Sequence, residues 1–482
     1  LRASKPIQIL QTFSSSEWKK FGEYLASPAL NRNEKVSEFY ALLFPYRQNL
    51  QAEDLEREVF YPKLFPGEPY DDKKLRYLLS DLAKVLEEFL VWSAFREEAF
   101  QQDRLLLKSY QQRKLDKYFN ATFQLMEKRL EEHPYRDAEY QSMVFLKEEA
   151  RFQFNSTRKS HQTETNLQQV VDSLDVYFLA NKLRYSCEIL NNKGVVNVAY
   201  DLFLLDEIQH FLRNRNLEEY PVIAIYHQIL RTLREPDDPE HYDRLLRLLE
   251  EHRDLFKPQE VFDMYVYAKN YCIIKINKGQ VAYTQKLFEF YKIMLDAGIL
   301  FREGRLTQWD FKNLVSLGLR LEEFDWIKNF MEQYSDRLAP EHRENVRSFN
   351  QANLEFHLGN FDRTLSLLQE VEFTDVYYHL DSKALLLKTY YQTGEWDSLQ
   401  SLIEAFKVYL KRNRAISEYQ RTVYGNLVRF TAALLRYKRG KNVNLQDLAQ
   451  EIEACREIAN IAWLKATVER EAQHSAAKRV KR

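Results

Sequence analysis

Little in this chain interrupts a helix. Its 482 residues include only 11 glycines and 12 prolines, well below the ordinary share of either. A β-rich fold would need such residues at every turn, so long helices joined by short connections are expected instead. Cysteine is scarce as well. Cys187, Cys272 and Cys455 are scattered and odd in number, which argues against a disulfide framework and for reduced thiols on helices. Net charge is missing too: 70 Lys and Arg stand against 71 Asp and Glu. A neutral total gives no polyanion-attracting field, so a nucleic-acid partner is not expected from composition, although a local basic face is compatible with it. No segment approaches the roughly 20 apolar residues that cross a bilayer. The amino end, through Trp18, has no uninterrupted apolar stretch of signal-peptide length. A cytoplasmic protein without a membrane partner is therefore expected. The chain opens on Leu1 rather than methionine, so residues ahead of it are expected.

Catalytic signatures are also lacking. The sequence holds no glycine-rich phosphate loop, no dinucleotide-binding glycine triplet, no His-Glu-x-x-His, no Cys-x-x-Cys and no Gly-x-Ser-x-Gly elbow. The ten histidines are dispersed; His241 and His252 flank a leucine-rich helix at a spacing that makes no metal pair. Acidic doublets such as Glu87-Glu88 and Glu250-Glu251 fall among Lys and Arg, as on solvated helix faces. No catalytic residue, cofactor or metal is expected, and the chain is read as a non-enzyme.

What is abundant is apolar and aromatic: 45% of residues are hydrophobic, with 30 Tyr and 31 Phe, ample for a core. Helical periodicity recurs nearly everywhere. Ser14 and Glu17 make a capping box ahead of Trp18, Phe21 and Leu25. Asp71 or Asp72 caps a helix with the stripe Leu75, Leu78, Leu79, Leu82, Leu86 and Phe89, which shows no stop before about Gln102. Leu115, Phe119, Phe123, Met126 and Leu130 form another stripe, and Pro221, Pro236, Pro239, Pro258 and Pro340 sit near expected helix starts. There is no sustained two-residue alternation and no Asn-Gly hairpin signal. The fold class is all-α.

One short pattern repeats. Phe324-Asp325, Phe361-Asp362 and Trp396-Asp397 follow one another at steps of 37 and 35 residues, each between two amphipathic stretches. Gly359 and Gly394 precede two of the aromatics; Ala352 and Tyr390 lie in the helices before them. A helix pair recurring at about 34 residues resembles the tetratricopeptide repeat, in which a glycine ends the first helix and an aromatic opens the second. The resemblance is clearest over residues 305–412. Thr364, Ile327 and Leu399 stand where that family has a small alanine, and its closing prolines are missing. Weaker junctions sit at Lys278-Gly279 and at Asn192–Val195. The chain is otherwise similar to bacterial all-helical repeat proteins. The expected architecture is an α-solenoid of antiparallel helical hairpins: an N-terminal helical module (1–108), a divergent hairpin array (109–304), tetratricopeptide-like repeats (305–440), and a C-terminal capping helix with a basic tail (441–482).

The resemblance implies a function. In such arrays the first helix of each hairpin lines a concave groove, at positions four, eight and twelve before the aromatic. Those positions are Arg320, Ser316 and Lys312; His357, Asn353 and Phe349; and Gln392, Lys388 and Ala384, with Tyr391 adjacent. Rich in donors and cations, they imply a protein- or peptide-binding scaffold whose partner presents an acidic or carboxylate-ended segment, with Lys312, Arg320, Asn353 and Lys388 as principal donors. Without a ligand, the same residues read as ordinary solvated helix positions. An alternative lies at residues 33–92. There Leu64-Phe-Pro-Gly-Glu-Pro precedes Leu75-Arg76 and Leu79-Ser80-Asp81-Leu82, a pattern similar to the end of the winged-helix domain in bacterial transcriptional activators. That resemblance implies a DNA-binding regulator with a helical-repeat sensor or effector region, Lys73, Lys74, Arg76 and Lys84 facing DNA. The family's strands have no counterpart here, and Asp71, Asp72 and Asp81 oppose phosphate.

Overall fold

The computed structural model describes residues 1–51, 55–156, 166–192, 200–213, 215–369, 371 and 376–480. They form 23 α-helices and one two-stranded ribbon. In order these are α1 (Lys5–Gln11), α2 (Ser15–Leu25), α3 (Glu34–Leu43), α4 (Arg57–Leu64), α5 (Asp72–Glu97), α6 (Ala99–Gln112), α7 (Asp116–Glu131), α8 (Ala138–Ser156) and α9 (Leu167–Asn192). Next come α10 (Leu205–Leu212), α11 (Pro221–Arg234), α12 (Pro239–His252), α13 (Pro258–Asn277) and α14 (Ala282–Asp296). The ribbon β1 (Phe301–Arg302) and β2 (Arg305–Leu306) leads to α15 (Gln308–Arg320), α16 (Phe324–Tyr334), α17 (Arg343–His357), α18 (Phe361–Gln369) and α19 (Val376–Thr393). The last four are α20 (Trp396–Arg412), α21 (Glu418–Lys438), α22 (Leu445–Ala454) and α23 (Ile461–Val480). The expected junction at 193–195 lies outside the described residues. Among the described residues, no helix is long and apolar enough to cross a membrane.

Backbone packing divides the chain into Leu1–Arg184 with Asn216–Ile223, and Tyr185–Arg215 with Ala224–Arg482. The expected first boundary, at 108, falls inside α6. In the first unit, α1–α5 enclose one core built on Trp18, Phe21, Phe39, Phe60, Leu82 and Phe89. The expected capping box is present: Glu17 N–H donates to Ser14 Oγ at 3.2 Å, and Ser14 N–H to Glu17 Oε2 at 2.7 Å. Asp71 caps α5 through the N–H groups of Lys73 and Lys74, and the whole Leu75–Phe89 stripe is buried. The expected run to Gln102 is not observed. The helix stops at Glu97 because Gln102 Nε2 turns back to the carbonyls of Phe95 (2.8 Å) and Arg96 (2.9 Å), and α6 starts afresh. Beyond it Phe119 stacks on Phe154 at 3.6 Å between ring centres.

The second unit is a succession of helical hairpins. α13 packs with α14, α15 with α16, α17 with α18, α19 with α20, and α22 with α23. In addition α15, α17, α19, α21 and α23 pack one against the next. Pro221, Pro239 and Pro258 open α11, α12 and α13, where a missing N–H costs nothing. The ribbon was not foreseen. Its turn is Glu303-Gly304, with both φ angles positive (50° and 76°), a conformation usually signalled by Asn-Gly.

The repeated Gly-x-aromatic pattern is one turn used several times. Gly279, Gly359, Gly394 and Gly440 have φ of 86°, 82°, 76° and 76°. In each turn the next N–H reaches back to the helix: Gln280 to Lys275 O, Asn360 to Glu355 O, Glu395 to Tyr390 O and Lys441 to Arg436 O, at 2.9 to 3.1 Å. This left-handed stop satisfies the last carbonyls and reverses the chain. At the glycine-less copy, Glu322 takes the position with φ 59°, and Glu323 N–H bonds Gly318 O at 2.9 Å. The large Ile327 is accommodated by Gly318 on the facing helix, where an added Cβ would stand 2.8 Å from Ile327 Cγ1. Bulk has moved from one side of the hairpin to the other.

A non-glycine residue in this conformation costs about 1 to 2 kcal/mol. Gly359→Ala, which meets no neighbouring atom within 4 Å, should therefore lower stability by about 1 kcal/mol through backbone strain alone. Glu322→Gly should raise it by a fraction of that amount. Thermal unfolding of the two variants checks both signs.

Candidate functional site

The odd-numbered helices of the second unit carry a row of polar side chains that join helices lying one or two hairpins apart. Tyr267 Oη on α13 donates to Glu188 Oε2 on α9 at 2.9 Å, and Asn270 Nδ2 donates to Asn191 Oδ1 at 2.9 Å. Lys269 Nζ lies 3.5 Å from Asp310 Oδ1 on α15. From α15 the row crosses to α19, where Lys312 pairs with Asp381 and Tyr378 Oη donates to Gln308 O at 3.0 Å. Tyr424 on α21 donates to the other oxygen of Asp381. From α19 it reaches α23 through Tyr391 Oη to Glu471 Oε1 at 3.2 Å and Arg470 to Gln392 Oε1 at 3.0 Å. Lys438 on α21 completes that end, 2.7 Å from Glu471 Oε2. Next-but-one helices can meet through side chains only where the row bends toward them, so these residues mark its inner side.

The expected groove residues fall along this row with unequal fates. Lys312 is not presented as a free donor. It is bound to Asp381 and lies near the rings of Tyr378, Phe349 and Trp309, 5.2 to 5.9 Å from their centres. Phe349 is buried and meets Tyr378 edge-on at 5.2 Å, because that ring fills the step from α17 to α19. Tyr391 is buried under α23, and its hydroxyl pKa is raised by burial first and by the Glu471 carboxylate second. Gln392 is taken by Arg470, and Ala384 lies in the core. Ser316 and Asn353 are half-buried, while Arg320 is exposed with no ion pair among the described residues. His357 is exposed, its Nδ1 2.8 Å from Asn353 O of its own helix.

Lys388 differs from all of these. Only 7% of the residue is accessible, yet among the described residues no carboxylate forms a salt bridge with it. Its Nζ sits over the Phe356 ring at 4.7 Å. The acid that acts on it electrostatically, Asp381, lies two turns up the same helix and is already engaged by Lys312 and Tyr424. Burial lowers its pKa to about 8, with Asp381 opposing the shift. A buried ammonium without a counter-ion is costly, and an anion arriving beside it would regain that cost. Asp381 and Glu471 were not foreseen. Lys312 and Tyr424 stand 69 and 43 residues from Asp381, and Tyr391 stands 80 from Glu471, whose other partner Lys438 is on a different helix, too far for any local spacing to reveal.

The basic residues of the alternative reading are mostly spoken for. Lys74 pairs with Glu68 at 2.6 Å and lies 4.1 Å from the Phe65 ring centre; Arg76 pairs with Asp72 at 2.9 Å and Lys84 with Asp81 at 3.7 Å. Lys73 is exposed, 5.9 Å from the Tyr77 ring centre. Residues 33–92 contain no strand among those described. The side chains of the basic tail from 476 onward lie outside the described residues.

Two outcomes follow. Asp381→Asn should cost about 1 to 3 kcal/mol, since it leaves Lys312 without its counter-ion in a part-buried site. Lys388 has a folded pKa below its unfolded value, so between about pH 8 and the unfolded lysine range only the unfolded chain holds the proton. Stability should rise with pH across that window, by up to about 1.4 kcal/mol per pH unit, and Lys388→Met should abolish that rise in denaturant titrations. Comparison with protein-family models, with curated proteins and with solved structures returns no match.

Proposed function

We propose that the chain is a non-catalytic scaffold that binds protein or peptide segments, an α-solenoid of tetratricopeptide-like hairpins acting in the cytoplasm. The recurring left-handed stops and the serial packing of α15, α17, α19, α21 and α23 support that architecture. The observation that carries the binding function is Lys388: a cation nine-tenths buried on the inner side of the row, with no salt bridge to a carboxylate among the described residues. Asn353 and His357, one hairpin back, add a half-buried amide and an imidazole at matching positions of α17. The segment that fits is acidic or ends in a free carboxylate, because such a group supplies the missing counter-ion and accepts from neighbouring donors. Lys312 serves a different purpose, holding α15 to α19 through Asp381. Arg320, exposed at the end of α15, is a peripheral cation that steers more than it binds.

The test uses a labelled pool of mixed acidic pentapeptides with free carboxyl termini and the same pool amidated. The full chain should prefer the free-carboxyl pool, and Lys388→Met should reduce that binding at least about tenfold, or 1.4 kcal/mol, with the fold intact by circular dichroism. Equal retention of both pools, or indifference to Lys388→Met, would sink the reading. A parallel capture with and without nuclease, repeated with Lys73→Ala and Lys74→Ala, tests the regulator reading. Loss of bound nucleic acid on those changes would favour it.

A further inference from the structure

The seat of α23 raises a separate question, because this helix covers Tyr391 and Gln392, two positions expected to be open. Its hold is thin. Among its described side chains, 461–475, Leu464 and Val468 are the apolar residues that enter the core completely, beside Thr467 and Glu471, while Ile461, Trp463 and Ala472 pack against it in part. By contrast α21 buries Leu427, Val428, Phe430, Ala433, Leu434 and Leu435. The polar contacts of α23 are also imperfect. Trp463 packs edge-on against Tyr391 at 5.7 Å, but its indole N–H is buried with no hydrogen-bond partner among the described residues, which weakens the seat. The central fastening is Glu471, 6% accessible, between Lys438 and Tyr391. A buried ion pair adds little net stability while demanding a partner of the right charge. The connection into α23 includes Asn460, in left-handed geometry at φ 52°. A terminal helix held this way belongs to the low-stability end of the local-opening range.

We propose that α23 occupies in cis a docking seat on α19, α21 and α22 for an amphipathic helix of another protein that carries a carboxylate at the position of Glu471, and that opening of α23 exposes this seat. The complementary chemistry is set out by α23 itself: a large apolar residue (Leu464), a second one four positions on (Val468), and an acid at the seventh (Glu471). A helix with that spacing places its two apolar groups in the core that α21 and α22 share, with Leu427, Leu434, Leu448 and Ile452, and its carboxylate on Lys438 and Tyr391. Because α23 competes for the same seat, affinity for the incoming helix is reduced by the fraction of chain in which α23 is closed. The inference rests on the scaffold reading but uses a different part of the inner side from Lys388.

The experiment uses the full chain with Cys455→Ser, Gln392→Cys and Arg470→Cys, before and after the two new thiols are joined by a short bis-maleimide. The probe is a fluorescent peptide of residues 461–475, amidated at its carboxyl end, followed by anisotropy. The unjoined chain should bind it. Joining should weaken binding at least about tenfold, and Glu471→Gln in an otherwise native chain should strengthen it several-fold by loosening α23. A peptide carrying the same Glu→Gln change should bind more weakly. No binding to either unjoined chain, or equal binding before and after joining, overturns the proposal. Since the probe has no free carboxyl terminus, loss of this result with Lys388-dependent capture of the pentapeptide pool retained removes the α23 seat alone. Loss of the pentapeptide result with this one retained removes the carboxylate reading instead.

Discussion

Asp381 is the point on which the inner side of the helical row turns. One carboxylate on α19 takes the ammonium of Lys312 from α15 and the hydroxyl of Tyr424 from α21, so three odd-numbered helices, α15, α19 and α21, are tied through one residue. An anion shared by two donors in a part-buried place is well satisfied; the consequence falls on Lys388. With Asp381 already engaged, this lysine stays buried beside Phe356 with no salt bridge among the described residues. The structural bond and the candidate binding group are thus two sides of one charge distribution. The same arrangement recurs toward the C-terminal end, where Glu471 is shared by Lys438 and Tyr391.

Two kinds of order operate in this chain. The hairpins are made locally, by left-handed stops that close one helix and start the next within a few residues. The hairpins are braced against one another non-locally, by polar side chains that bridge helices one or two hairpins apart. Apolar burial supplies most of the cohesion, through residues such as Phe311, Leu314, Leu399 and Phe406, all with no accessible surface. The polar bridges select one packing among those the apolar surfaces would tolerate, because a buried donor or acceptor left unpaired is more costly than a shifted methyl group.

This division explains what could be read in advance. The all-helical class, the Ser14 cap, the Leu75–Phe89 stripe and the Gly359 and Gly394 turns were legible because each depends on residues within one or two helical turns. Glu322 was not recognisable as a left-handed stop, since nothing in a glutamate advertises that backbone. Phe349 and Tyr391 were expected on an open surface and are buried, because spacing fixes the side of a helix but not what covers it. Lys312 was expected as a free donor and is paired with Asp381. Its partner lies 69 residues on, and no periodicity predicts which of 71 acids folds back to meet a given lysine. Lys388 was selected by spacing, but its distinction from the other cations emerged only when the partners of all of them were known.

The central claim is that Lys388 is a buried cation awaiting an anion, and its own titration is the most direct measure of that. In the full chain labelled with ¹³C at lysine Cε, the Lys388 resonance, assigned by its loss in Lys388→Met, should titrate near the pKa of about 8 that burial imposes. Addition of free-carboxyl pentapeptides should move that titration upward, toward the ordinary lysine value of about 10.4, while the amidated pool should leave it in place. A Lys388 that titrates near the ordinary value in the free chain, or one indifferent to both pools, would contradict the account.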